Sequence, residues 1–217
     1  MEPIARITEN ADWITLIIFG SLILLIAAKS LFYSRFLNFM ILPFNNKYIL
    51  MYNKKEKLFN WFHILLMVFQ IINTSMFLFL SWKAYTKPVT KEYEYTFIII
   101  LASLFIFLFL KISLQLVNGF IFDAYNLTNE FVFKKISYLN YGSLVLFIAN
   151  ILLSFVFKDS LILIYIAATL FLIINIIGWI TVIKVHQKFI ASYFFYFILY
   201  LCTLEIAPLI IMGSFLK

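Results

Sequence analysis

The stretch YFFYFILYLCTLEIAPLIIMGSFLK, Tyr193 to Lys217, is long and apolar enough to cross a lipid bilayer. About 20 apolar residues rising ~1.5 Å each span the ~30 Å hydrocarbon core. Near its middle stands Glu205, followed by Pro208. A charged side chain at mid-membrane costs about 2.5–3.5 kcal/mol on insertion scales, so such a residue usually faces protein or water and has a partner. Pro208 cannot donate to the carbonyl of Leu204, which leaves that acceptor free beside the acid and predicts a kink. An ionisable group, a free carbonyl and a kink at one depth mark a place for coupling or chemistry. They do not name a substrate.

The rest of the chain has the same character. Hydrophobic residues make up 65% of its 217 residues, charged residues only 12%, and mean hydropathy is +1.01, far outside the soluble range. Long uninterrupted apolar runs, rather than short alternating ones, predict an all-α polytopic transmembrane bundle and not a β-barrel. Spans are expected at about Trp13–Tyr33, Phe59–Trp82, Thr96–Asn118 and Ile136–Phe157. A fifth ends near Ile183, and Tyr193–Lys217 is the sixth. The turn Lys158–Asp159–Ser160 is so short that the fourth and fifth spans must be antiparallel neighbours. After the first span, Phe36–Tyr52 is apolar but interrupted by Pro43, Asn45 and Asn46. It reads as a broken interfacial or re-entrant segment, because freed backbone groups would need partners in lipid. The loop from Gly119 to Lys135 reads as carrying a short surface helix, with Asn126 or Thr128 as its cap. No linker or second domain is visible, so residues 1–217 form a single transmembrane domain.

Charge sets the orientation. The loops after the first, third and fifth spans hold Lys29, Arg35, Lys47, Lys54, Lys55, Lys57, Lys134, Lys135, Lys184 and Lys188. The opposite side holds Arg6, Lys83, Lys87, Lys91, Lys158 and Lys217. By the positive-inside rule both termini lie outside the cytoplasm. The net charge of +7 is accounted for by these loops and calls for no nucleic-acid partner. The acidic start, MEPIARITENADW, reads as lacking a cleavable signal.

Polar residues inside the spans are the candidate sites. Lys111, Gln115 and Asn118 share one face of the third span. Lys111 either snorkels toward the cytoplasm or pairs with Glu205, whose depth differs by about one long side chain at ~1.5 Å per residue. Supporting positions are Tyr200, Thr203 and Pro208 on the last span; Tyr200 is deep enough to need a hydroxyl partner. His63, Gln70, Asn73 and Thr74 on the second span, and Ser143, Asn150 and Ser154 on the fourth, read as interhelical hydrogen-bonding glue. His63 and His186 stand apart from cysteines and clustered acids, which is a poor basis for a metal site. No phosphate-binding, dinucleotide, zinc-protease or nucleophile-elbow motif occurs. Neither a catalytic residue nor a cofactor is therefore expected. The lone Cys202 excludes an intrachain disulfide.

The Tyr200–Cys202–Thr203–Glu205–Pro208 pattern within FYFILYLCTLEIAPLI resembles the closing signature of an uncharacterised integral-membrane family of Bacteroidota, domain of unknown function 4271. Trp13 before the first span and FYSRF (Phe32 to Phe36) after it are similar as well. The resemblance implies an inner-membrane protein of a diderm bacterium, with type IX secretion or gliding machinery as one setting, and carries no activity with it. Two readings compete. One is a non-enzymatic subunit or assembly factor of an envelope complex, with the bilayer and other envelope proteins as partners. The other is a proton-coupled transporter or channel that titrates Glu205. An intramembrane enzyme using His63 is a distant third.

If Glu205 and Lys111 are paired, Glu205→Gln and Lys111→Met each strand a buried charge, at about 3–5 kcal/mol, whereas replacing both is nearly neutral. The single variants should then accumulate poorly in membranes and the double variant should recover. Normal accumulation of Glu205→Gln would exclude the pair.

Overall fold

The computed structural model describes residues 12–43, 47–52, 60–86, 93–121 and 125–185. The last span, with Glu205, Tyr200, Thr203, Pro208 and Cys202, lies outside the described residues, as do His186 and the side chain of the candidate cap Asn126. Among the described residues the chain is helical and has no strand. Its elements are α1 (Asp12–Leu31), α2 (Tyr33–Met40), α3 (Lys47–Tyr52), α4 (Trp61–Thr86), α5 (Tyr93–Ile121), α6 (Tyr125–Ile151) and α7 (Leu161–Val185). Five of them (α1, α4, α5, α6 and α7) are long and apolar enough to cross a membrane, and they match the first five expected spans.

The broken segment is two short helices, too short to span. In α2 the apolar spacing turns Phe36 and Phe39 inward while Tyr33, Leu37 and Met40 stay exposed. Leu42 and Tyr48 are buried with them, beside Ala28 of α1, Phe62 and Leu66 of α4, and Phe133 and Tyr138 of α6. The segment therefore packs sideways onto the bundle instead of running through it.

The surface helix expected in the third loop is instead the start of α6, which runs without a break from Tyr125. Only three residues separate it from the end of α5 at Ile121. Two local features explain the early start. Glu130 and Lys134, one turn apart, form an ion pair at 2.7 Å, in the order that favours a helix. Gly119 of α5 lets Thr128 approach so closely that a Cβ there would fall 2.5 Å from the threonine Oγ1.

α6 is the axis of the bundle, in contact with α1, α4, α5 and α7. Its last turn widens into a π-helical turn, Leu152–Val156, closed by the Phe157 N–H donating to the Leu152 carbonyl at 2.7 Å. The chain then reverses through Lys158–Ser160, with Asp159 at φ 57°, a left-handed conformation that Asp tolerates better than most residues. α7 returns antiparallel against α6. Gly178 makes this approach possible, since a Cβ there would lie 2.6 Å from the Tyr138 ring.

Two apolar clusters are stacked along α4 and α6. One joins Phe62 and Leu66 to Phe133 and Tyr138; the other joins Phe69, Met76 and Phe79 to Leu146, Phe147 and Leu153. In contrast, the membrane-length stretch of α5 is almost entirely unburied, with Phe105, Phe109 and Phe120 exposed. That pattern suits helices solvated by lipid on the outside and by each other within.

Candidate functional site

The polar residues of α4 and α6 face one another. α4 and α6 run in the same direction, with Phe69 against Phe147 at 5.6 Å between ring centroids. Asn150 Nδ2 donates to the backbone carbonyl of Asn73 at 2.9 Å, and more distantly to its side-chain Oδ1 at 3.4 Å. Asn73 in turn donates to the Phe69 carbonyl one turn back. Ser75, Ser137 and Ser143 return their hydroxyls to carbonyls of their own helices. Such back-bonding hides a hydroxyl without a partner helix. Asn73–Asn150 is thus an interhelical hydrogen bond of the kind expected from the sequence. Gln70, Asn140 and Ser143 are buried on the same two helices.

A second group lies at the N-terminal ends of α4 and α6. His63 Nε2 and the Tyr48 hydroxyl share a hydrogen bond of 3.2 Å. Both are buried, in a wall of aromatic rings: Phe133 stands edge-on to His63 at 4.5 Å, and Phe62 and Phe39 close the sides. Arg35 of α2 holds its guanidinium over Phe32 and Tyr52, at 5.5 and 5.3 Å from the ring centroids. Lys134, 2% exposed, is held by Glu130, and Lys135 lies 5.2 Å from the Trp179 centroid. His63, read from sequence as isolated, is a fixed member of this cluster. Its partner Tyr48 stands 15 residues away on the separate helix α3, and such a contact has no local signature in the sequence. The Glu130–Lys134 spacing was legible as a helix pair, and only its placement in a loop concealed it.

On α5, Gln115 is buried and Lys111 half-buried, with its ammonium 5.7 Å from the Phe107 ring centroid. Asn118 continues their register along the helix backbone. Glu205, Tyr200, Thr203 and Pro208 lie outside the described residues, and so does the Lys111–Glu205 pairing. Among the described residues no group of three or more His, Cys, Asp or Glu side chains is arranged to hold a metal ion.

If the bond to the Asn73 carbonyl is what matters, Asn150→Ala should cost about 0.6–1.7 kcal/mol of bundle stability, the range of interhelical bonds in membranes. A double-mutant cycle with Asn73→Ala should then show side-chain coupling below about 0.5 kcal/mol, since the backbone acceptor survives. Coupling well above that, measured by unfolding in mixed micelles, would shift the weight to the longer side-chain contact.

No curated protein and no solved structure matches the chain. A family profile does match, over residues 14–216, nearly the whole length. A multi-pass helical membrane protein, this chain belongs to the family described as Domain of unknown function (DUF4271).

Proposed function

We propose that this protein is a non-enzymatic subunit or assembly factor of an inner-membrane complex in a diderm envelope. The observation that carries the reading is the use made of the seam between α4 and α6. The amide nitrogens of Asn73 and Asn150 and the hydroxyls of Ser75 and Ser143 are committed to helix carbonyls, while Lys134 and Lys135, at one end of the bundle, are engaged in an ion pair and a ring contact. Side chains used in this way hold helices in register. The long exposed aromatic and aliphatic face of α5 offers area for lipid and for partner helices. A role in type IX secretion or gliding follows only from the family's setting and is the narrowest form of this proposal.

In this reading both termini are periplasmic. Lys134 and Lys135 sit within α6 rather than in a loop; leaving them aside, the cytoplasmic loops still carry the larger share of basic residues, Lys29, Arg35, Lys47, Lys54, Lys55, Lys57, Lys184 and Lys188. Reporter fusions after Lys57 and after Lys91 should report cytoplasm and periplasm respectively. The opposite pattern would reverse the orientation.

The functional reading is tested by mild-detergent purification of the tagged protein from native membranes at its natural abundance. A partner recovered at fixed stoichiometry, and lost when α5 residues Phe105 and Phe109 are replaced by alanine, supports it. A monomer that carries protons across proteoliposomes would overturn it in favour of Glu205-dependent transport.

A further inference from the structure

Six buried side-chain polar atoms, on five residues, find no hydrogen-bond partner among the described residues: Thr74 Oγ1, Asn129 Oδ1, Asn140 Nδ2 and Oδ1, Asn150 Oδ1 and Ser154 Oγ. Their placement follows one line. On α6, at ~100° per residue, Asn129, Asn140, Ser143 and Asn150 fall within about 80° of one another, and Ser154 lies one turn beyond. Phe133, Phe147 and Asn150 fix that face against α4, through His63, Phe69 and Asn73. From Asn129 to Ser154 the line is roughly 37 Å long at ~1.5 Å per residue, somewhat more than the ~30 Å thickness of the hydrocarbon core.

An orphaned amide in a dry interior is costly, and native structures satisfy such groups with protein or with internal water. Asn140 is the sharpest case. It is fully buried, and neither its amide nitrogen nor its amide oxygen has a hydrogen-bond partner among the described residues. Asn150 is equally buried and uses only its nitrogen. From this we infer that the α4–α6 seam is a water-binding site, with internal waters at Asn140 and at the level of Thr74, Asn150 and Ser154. The chemistry of the lining selects water over an ion. The orphaned groups are neutral amides and hydroxyls, each able to meet one or two bonds of a water that needs two to four. Among the described residues no unpaired carboxylate stands beside them to neutralise a cation: Glu130, next to Asn129, is paired with the buried Lys134. The seam thus combines one direct interhelical bond with wet joints on both sides of it.

The test is radiolytic hydroxyl-radical footprinting of the full chain in nanodiscs, read by mass spectrometry, which labels side chains beside bound water whatever their exposure. Phe69 on the seam is 0% exposed, while Phe97, in the apolar contact of α5 with Trp13, is 6% exposed. Phe69 and Phe147 should oxidise several-fold faster than Phe97. Equal rates, or a faster Phe97, would overturn the inference. Thermal unfolding gives a second readout, in which Thr74→Val and Asn140→Leu remove the orphaned groups. At a hydrated site each loses water-mediated bonds and the midpoint falls, by about 2–6 °C for a chain of this size. At a dry site each relieves an unsatisfied group and the midpoint rises, which counts against bound water. Exchange of choline for sodium should leave the wild-type midpoint unchanged; a sodium-specific rise would replace water by an ion.

Discussion

Within a bilayer a helix has only two kinds of neighbour, lipid and protein, and α6 divides its faces between them: Ile148 is exposed, while Ser137, Asn140, Ser143 and Asn150 are fully buried. On the side packed against the other helices, every polar group must be met by another helix, by its own backbone or by enclosed water. The arrangement of the other helices follows from this constraint. α4 brings its polar face, α7 fits its Gly178 under Tyr138, and α5 fits Gly119 over Thr128. The glycines set the distance of approach where the side chains opposite are bulky or branched. The segment of α2 and α3 packs beside α1, α4 and α6, and buries four large side chains there, Phe36, Phe39, Leu42 and Tyr48.

Much of this was legible in the sequence, for a simple reason. A span is announced by the length of its apolar run, and length alone separates Trp61–Thr86 from the interrupted Phe36–Tyr52. Pro43 with Asn45 and Asn46 showed that the latter does not cross. What they could not show was that Phe39 and Tyr48 turn into the bundle, because that depends on rings contributed by α4 and α6. The start of α6 was hidden differently. Asn126, Thr128 and Asn129 are residues of caps and turns by local preference, and tertiary packing against α5 overrode it.

The candidate site divides the same way. That Asn73 and Asn150 belong to facing helices could be guessed from their position inside apolar runs, since burial of an amide in lipid demands a partner. Which atoms meet was beyond the sequence: the main acceptor is a backbone carbonyl, and a backbone acceptor exists at every residue. The same applies to His63, whose partner is a tyrosine from a separate short helix. Glu205, Tyr200, Thr203 and Pro208, outside the described residues, are candidates on sequence grounds alone, a mid-span acid and its neighbours.

The strength of the α4–α6 joint does not come chiefly from its hydrogen bond. Interhelical bonds in membranes average about 0.6 kcal/mol, since a helix in lipid finds other partners for its polar groups when separated. Shape does more. Phe69 on Phe147 and His63 on Phe133 bring large rings together, and each aromatic pair adds about 0.5–1.5 kcal/mol beyond its area. The amides contribute selectivity instead. An interface of rings alone tolerates sliding by a turn, whereas a slide of α6 along α4 would separate Asn150 from the Asn73 carbonyl and press an amide into the apolar clusters on either side. Polar residues at this interface fix the register of a joint whose attraction is supplied by the aromatic residues around them.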